Sequence, residues 1–147
     1  MSVHADFHVH TTFCDGADTP RAMVEAACRA HLDALGFSGH SFVAFDPAAG
    51  MGAERAALYR AEIAALRTEY AGQLPIFCGI EKDVYGEADT SPYDYVIASG
   101  HYVPLPGGGF SPWMSAQKSQ NMPFAHILAA MLIVIVRPTM KGLQRGS

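Results

Sequence analysis

Apolar and polar positions alternate along the first part of the chain with two different periods, which predict strands and helices in turn. Val3 to Val9 alternates in the manner of a half-buried strand. Thr19 and Pro20 then indicate the start of a helix, because Thr is a favoured N-cap and Pro fits the first helical position. Residues at helical spacing predict the buried stripe of this helix: Met23, Ala26, Ala27 and Ala30.

The alternation continues with further strands and a longer helix. Leu32 to Ser38 is a short apolar run that predicts the second strand. Ala53 to Tyr70 has the clearest helical period, and Gly72 is expected to end this helix. Its apolar face is predicted to comprise Tyr59, Ile63, Leu66 and Tyr70. Two later runs predict the third and fourth strands: Leu74–Ile80 and Asp94–Ser99. This order of elements is typical of an α/β fold with a parallel sheet.

Composition limits the class of protein. A chain of 147 residues, half of them apolar, has the length and composition of one globular domain. The net charge of −4 argues against a nucleic-acid partner, which would favour clustered Lys and Arg. The three cysteines lack CxxC spacing and are interpreted as reduced thiols of a cytosolic protein.

The N-terminus has no basic-then-apolar leader, since His4 and Asp6 follow directly on the first residues. The longest apolar run is Ala125 to Val136, interrupted only by His126, and it is well short of the roughly 20 residues that span a bilayer. The sequence therefore predicts a soluble, cytoplasmic protein with no membrane partner. It leaves the oligomeric state open.

Potential metal ligands lie at the ends of the predicted strands. His8 and His10 are two residues apart on the first strand, which places both imidazoles on one face. His40, Glu81 and His101 each lie at the end of a later strand. Because ligands collect at the carboxyl ends of parallel strands, these five side chains are expected to converge. Mixed imidazole and carboxylate ligation favours Zn, Mn or Fe over Mg or Ca.

Asp15 lies in a turn marked by Gly16 and would add a second carboxylate to this site. Taken singly, each of these residues has an ordinary explanation. An isolated His in a loop is usually a polar surface residue, and a Glu after a strand is commonly a charge at a helix N-terminus. Cys14 and Cys78 are interpreted as small buried hydrophobic residues. The joint pattern is what predicts the metal site.

Four motifs of the chain resemble, in the same order, those of the PHP (polymerase and histidinol phosphatase) family, in its histidinol-phosphatase branch. They are Asp6–Thr11 with Cys14–Gly16, Gly36–Ser41, Gly79–Asp83 and Tyr93–Tyr102. The resemblance covers about residues 1 to 112. It implies a distorted TIM-like (β/α)7 barrel, of which this chain would hold the N-terminal half, with a cluster of two or three divalent metals.

By this resemblance, His8 and His10 are expected to bind a first metal. Glu81 would bridge that metal to a second, which His101 would also bind, and these four residues form the expected catalytic set. Clustered divalent metals suit the slow hydrolysis of phosphate monoesters, because they lower the pKa of a bound water and neutralise the phosphoryl oxygens.

Asp15 and His40 resemble the ligands of a third metal. The family usually has Asp where this chain has Gly39, directly before the histidine. This departure removes a possible hydrogen-bond acceptor for the His40 ring and is expected to loosen the third site.

The implied activity is hydrolysis of L-histidinol phosphate to L-histidinol and phosphate, a step of histidine biosynthesis. Three further ligands of the family, a His and a late Asp-x-His pair, find no match in the chain. A metal-binding fragment without turnover is therefore the first alternative. A phosphoesterase acting on another phosphomonoester is the second, and a module serving a polymerase is the third, which the lack of an adjoining domain disfavours.

Residues 113–147 no longer resemble the family. Trp113 and Met114 have unique codons, TGG and ATG, and one base restored before them converts the second codon to an Asp codon. The same restored frame forces a Glu codon within Thr139–Gly142. The sequence thus predicts an incomplete phosphatase domain over residues 1–112 and an out-of-frame tail over 113–147, the alternative being a genuine divergent C-terminus.

Overall fold

The computed structural model describes residues 4–112 and 134–136. Within these residues the chain forms helices and strands in the order β1 (Ala5–Val9), α1 (Pro20–Arg29), β2 (Ala34–His40), α2 (Ala53–Glu69), β3 (Ile76–Asp83), β4 (Tyr95–Ser99), β5 (Tyr102–Pro104), β6 (Phe110–Pro112) and β7 (Val134–Val136). The predicted α/β class is confirmed. All four predicted strands and both predicted helices are present, with ends displaced by a few residues.

The main sheet has the strand order β1-β2-β3-β4-β7. Neighbouring strands from β1 to β4 are parallel, and α1 and α2 connect the first three of them. β7 belongs to the predicted tail and pairs antiparallel with β4, while the remainder of the tail lies outside the described residues. β5 and β6 form a separate antiparallel pair.

The parallel strands curl into half of a barrel, as one hydrogen-bond pattern across the sheet demonstrates. The hydroxyl oxygen of Tyr95 on β4 lies 2.8 Å from the carbonyl oxygens of both Phe7 on β1 and Phe37 on β2, which share its single donor hydrogen. In a flat sheet β1 and β4 would lie about 14 Å apart, which is far beyond the reach of a tyrosine. The ring crosses β3 and β2 at Gly79 and Gly36, where any Cβ would collide with it.

The two helices cover the convex side of the sheet. In α2 three of the four predicted apolar residues, Tyr59, Ile63 and Leu66, are buried, and the fourth, Tyr70, lies just past the helix end and is partly buried against the core. In α1 the predicted stripe is confirmed in part, because Ala27 is buried and Met23 packs against the core, whereas Ala30 is exposed and the buried Val24 was not predicted. The buried residues of α1 lie at helical spacing: Pro20, Val24 and Ala27.

The longer helix, α2, has 17 residues, and much of its surface is polar. In the part of the chain that the structure describes, neither helix combines the length and apolar composition needed to cross a bilayer.

Candidate metal centre

The six residues predicted from the sequence as metal ligands come together at the carboxyl edge of the parallel strands. Their positions are His8 within β1, His10 directly after it, Asp15 in the following turn, His40 at the last position of β2, Glu81 within β3 and His101 after β4. Glu81 was predicted to follow its strand, but β3 continues to Asp83 because it pairs with β4 along its full end. The convergence that the sequence predicted is present.

Glu81 lies at the centre of the cluster, and only 3% of it is exposed. Its Oε2 atom is 3.0 Å from Nε2 of His8, 3.1 Å from Nε2 of His10 and 3.4 Å from Nδ1 of His40. Its Oε1 atom is 3.1 Å from Nε2 of His101. Four imidazoles therefore surround a single buried carboxylate.

Asp15 joins the cluster from the opposite, solvent-facing side. Its carboxylate oxygens lie 3.3 Å from Nδ1 of His10 and 3.4 Å from Nε2 of His40. These two imidazoles are therefore shared between a buried carboxylate and an exposed one. Such sharing is suited to a cluster of ions more than to a single isolated ion.

Ligand atoms of the six residues form three groups, and within each group the atoms lie within 4.8 Å of one another. The groups are His8/His10/Glu81, His10/Asp15/His40 and His40/Glu81/His101. Each group combines imidazole nitrogen with carboxylate oxygen, which is the donor set that zinc and other transition metals accept. The residues present thus fit a cluster of divalent metal ions.

Hydrogen bonds within the cluster shift its acid–base equilibria strongly. Burial alone would raise the pKa of Glu81, but hydrogen bonds with His10, His101 and His8 hold it well below its usual range. Burial would lower the pKa of His10, whereas its hydrogen bonds with Cys14 and Glu81 raise it to about 10. In the absence of metal, these groups form an ion pair that a bound cation would replace.

The imidazoles of His101 and His40 differ from each other in the direction of their pKa shifts. Burial would lower the pKa of His101, but hydrogen bonds with Asp83 and Glu81 raise it to about 9. The pKa of His40 is lowered, because burial disfavours its charged form and the attraction of Glu81 does not compensate. His40 therefore already has the neutral form that binds metal.

Local backbone features place the first ligands. The register between β1 and β2 shifts by one residue between Asp6 and Val9, an irregularity of the kind that a β-bulge produces. As a result, Phe7 contacts the Tyr95 ring inside the barrel while the adjacent His8 also reaches Glu81. A bulge next to a site commonly redirects a side chain in this way.

The turn after β1 places Asp15. The amides of Cys14 and Gly16 both donate to the carbonyl of Thr11, at 2.9 Å and 3.1 Å. A side chain at Gly16 would collide with the backbone at Thr11, so the turn requires glycine at this position. The tight turn returns the carboxylate of Asp15 to the imidazole of His10.

The space next to Gly39 is filled by neighbouring side chains. A Cβ at this position would lie 2.7 Å from the Met51 methyl group and 3.6 Å from the Cys14 sulfur. An Asp at this position would therefore require Met51 to move. Nδ1 of His40 lies 3.4 Å from Glu81 and Nε2 lies 3.4 Å from Asp15, and both carboxylates belong to the ligand groups. The expected loosening of the third site stays a prediction.

Two residues beside the cluster had no predicted role in it. Asp83 is 3% exposed, and its Oδ2 atom lies 3.0 Å from Nδ1 of His101. It follows Glu81 by two residues on β3, so strand alternation could have placed both carboxylates on one face. Cys14, interpreted from the sequence as a buried hydrophobe, is only partly buried and lies 3.5 Å from Nδ1 of His10.

A cavity of about 200 Å³ adjoins the cluster and is lined in part by Asp15, His40, Asp83 and His101. Tyr102 also lines this cavity and packs edge-on against the exposed ring of Phe45. The cluster therefore opens onto a space large enough for a small ligand.

Comparison with known proteins gives a family match over most of the chain. The family profile of the PHP domain matches residues 6–129. Over 114 residues the chain is 35% identical to a Deinococcus radiodurans protein inferred to be a histidinol-phosphatase, covering 70% of this chain and 44% of that protein. It is 32% identical over 107 residues to the histidinol-phosphatase of Bacillus subtilis, covering 67% of this chain and 40% of that protein.

A third relative is the DNA polymerase/3'-5' exonuclease PolX of Bacillus subtilis, with 32% identity over 67% of this chain and 18% of that protein. The chain thus spans less than half the length of each of these curated relatives.

Two solved structures share the fold. A candidate histidinol phosphatase from Listeria monocytogenes superposes with a TM-score of 0.65 at 23% identity, over 74% of this chain and 48% of that one. Histidinol phosphate phosphatase from Lactococcus lactis, solved with zinc, L-histidinol and phosphate, gives a TM-score of 0.58 at 26% identity, over 68% of this chain and 41% of that one. The half-barrel therefore corresponds to less than half of each of these chains.

Proposed function

The chain belongs to the PHP domain family, and on this premise we propose that its histidine and carboxylate cluster binds divalent metal ions for the hydrolysis of a phosphate monoester. The observation that carries the proposal is the convergence of four imidazoles on the buried Glu81 carboxylate. A buried carboxylate with so many nitrogen neighbours is typical of a metal-bridging residue.

The proposed substrate is L-histidinol phosphate, and the products are L-histidinol and phosphate. Support comes from two curated relatives named histidinol-phosphatase and from the Lactococcus lactis enzyme, which was solved with zinc, histidinol and phosphate. Zinc, manganese or iron are the proposed metals. A biosynthetic hydrolase of this kind is expected in the cytoplasm.

The proposed ligand sets follow the groups that the side chains form. His8, His10 and Glu81 would hold a first ion, and Glu81 would bridge it to a second ion held with His101. Asp15 and His40 would hold a third ion, which His10 also approaches. His40 lies within reach of the second position as well.

Bound divalent ions would supply a water nucleophile of lowered pKa and would neutralise the charge on the phosphoryl oxygens. The four imidazoles contribute neutral ligands, so two carboxylates are the only anionic groups among the six proposed ligands. This donor set leaves net positive charge at the ions, which favours binding of a phosphate dianion in the adjoining cavity.

Two further functions compete with this one. The chain spans less than half of its relatives' length, which supports a metal-binding fragment without turnover as the second candidate. The third candidate is a phosphoesterase that acts on another phosphomonoester. The match to the polymerase PolX covers only 18% of that protein.

The proposal is tested by phosphate release from L-histidinol phosphate with added Mn or Zn. Slow, metal-dependent turnover is expected from the wild type, and Glu81→Gln should remove it by loss of the bridging carboxylate. Glu87→Gln, at an exposed glutamate, is the matched control and should behave as the wild type. Turnover by Glu81→Gln equal to the wild type would contradict the proposal, whereas stoichiometric metal without turnover would favour the second candidate.

A further inference from the structure

We propose that Asp83 is a positioning residue, which orients the His101 ring so that its Nε2 atom faces the metal site. This inference rests on the proposed metal centre. Asp83 belongs to none of the three groups of ligand atoms in the cluster.

The contact between the two residues has two attachment points. Oδ2 of Asp83 accepts from the backbone amide of His101 at 2.9 Å and lies 3.0 Å from Nδ1 of the His101 ring. Together these bonds fix both the position of the residue and the rotation of its ring. A donating Nδ1 leaves Nε2 directed at Oε1 of Glu81, 3.1 Å away.

The Asp83 carboxylate is itself firmly held. Its Oδ1 atom accepts from the amide of Tyr85 at 2.8 Å, and its own amide donates to Oγ of Ser41 at 3.1 Å. Asp83 is the last residue of β3, pairs with Ser99 of β4 and is 3% exposed. A buried carboxylate whose two oxygens both accept hydrogen bonds has a fixed position, and it can therefore fix the orientation of a neighbouring ring.

The His101 ring needs a contact that fixes its orientation, because this residue lies outside the helices and strands. Only Gly100 and His101 connect β4 to β5, and the His101 ring is partly exposed. In metal sites, a carboxylate on the second imidazole nitrogen fixes the ring and increases the basicity of the binding nitrogen. The same contact would serve both purposes at His101.

The competing explanation is a structural one, in which Asp83 only satisfies the amides of Tyr85 and His101. Asp83→Asn has only one acceptor oxygen, so it keeps either the bond from the Tyr85 amide or the two contacts with His101, and by itself it does not separate the two explanations. An effect on metal binding that passes through His101 distinguishes positioning from a general structural role.

The experiment measures the Zn2+ affinity of the full chain by competition with a chromophoric chelator. Asp83→Asn should weaken Zn2+ binding by about 10- to 100-fold. Asp89→Asn is the matched control, because this exposed carboxylate also accepts from a backbone amide and a hydroxyl, both of Ser91, outside the cluster. Its affinity should equal that of the wild type.

The decisive comparison uses His101→Ala with and without Asp83→Asn. If Asp83 acts through His101, the double variant should bind Zn2+ as the His101→Ala single variant does. An equal loss from Asp83→Asn in both backgrounds, or no loss in either, would overturn the inference. Failure of the wild type to bind Zn2+ would instead overturn the proposed function together with the inference.

A second measurement needs no Asp83 variant. In 15N NMR spectra of the Zn-loaded wild type, the His101 ring, assigned by its loss in His101→Ala, should be protonated at Nδ1 and metal-bound at Nε2. Metal bound at Nδ1 of His101 would overturn the inference even if Asp83→Asn does not fold.

Discussion

Glu81 and the imidazoles around it determine how the metal-free protein should respond to pH. Hydrogen bonds raise the pKa of His10 to about 10 and that of His101 to about 9, above the ordinary value of 6.5. The stabilisation from these two residues is fully present below pH 6.5 and is lost as the pH rises through 9 to 10. Glu81 has a lowered pKa, so its stabilisation is present above its ordinary pKa and is lost in acid.

We therefore expect the melting temperature of the metal-free chain, measured in EDTA, to fall between pH 6.5 and pH 10. His101→Gln removes one of the titrating groups and should make this fall shallower. His4→Gln, at an exposed histidine outside the cluster, is the control and should leave it unchanged. A melting temperature that rises steadily over the same interval would contradict the assignment of these ion pairs.

Strand alternation and strand ends are local signals, and they were sufficient to predict five members of the cluster, while Asp15 was predicted from its place in a turn marked by Gly16. Asp83 was not predicted to have a role, because its contact depends on the direction of the His101 ring across two strands. The buried stripe of α1 was predicted only in part, because Val24 was missed and Ala30, after the last residue of the helix, is exposed. Tertiary contacts, not local periodicity, decided both cases.

The Tyr95 side chain, on β4, contacts the other three parallel strands. It lies over Gly79 and Gly36 and bonds to the carbonyls of Phe7 and Phe37. The curvature that brings His8 on β1 towards Glu81 on β3 is therefore coupled to two glycines and one tyrosine. All three residues lie in motifs noted from the sequence, but their packing role was not predicted, because each acts through neighbours distant in the chain.

Gly79→Ala should lower the free energy of unfolding by about 1–3 kcal/mol, because the new methyl group overlaps the Tyr95 ring in a packed interior. Gly107→Ala is the matched control, since a Cβ there has no atom within 4 Å. Urea denaturation of both variants measures the difference. Equal stability of Gly79→Ala and the control would show that Tyr95 does not pack against β3.

Short or distant strands could not be predicted from periodicity. β5 and β6 have three residues each, too few to show a period. β7 lies in residues 113–147, which the sequence predicts to be an out-of-frame tail, yet it pairs with β4 over three residues. A short pairing of this kind needs only backbone groups and an apolar, β-prone segment.

For the whole molecule, we propose that the reading frame of the gene was shifted by one base after the Pro112 codon. The second half of the barrel is missing as a result. Six proposed ligands hold the ions less firmly than a complete set, and misplacement of about 1 Å can lower a rate on the order of 100-fold. The protein translated from a gene with one base restored after the Pro112 codon should therefore release phosphate from L-histidinol phosphate much faster than the 147-residue chain. Equal rates for the two chains, at the same Mn or Zn concentration, would contradict the truncation.

The proposal that residues 4–112 form a metal centre is tested by the amount of metal that the purified chain retains. After loading with Zn or Mn and removal of free ions, the wild type should contain at least one ion per chain, as measured by elemental analysis. His8→Ala/His10→Ala removes two nitrogens next to Glu81 and should retain none, while His4→Ala/His31→Ala, at two exposed histidines outside the cluster, should match the wild type. Stoichiometric metal in the His8→Ala/His10→Ala variant, equal to that of the wild type, would contradict the assignment of His8 and His10 as ligands of this centre.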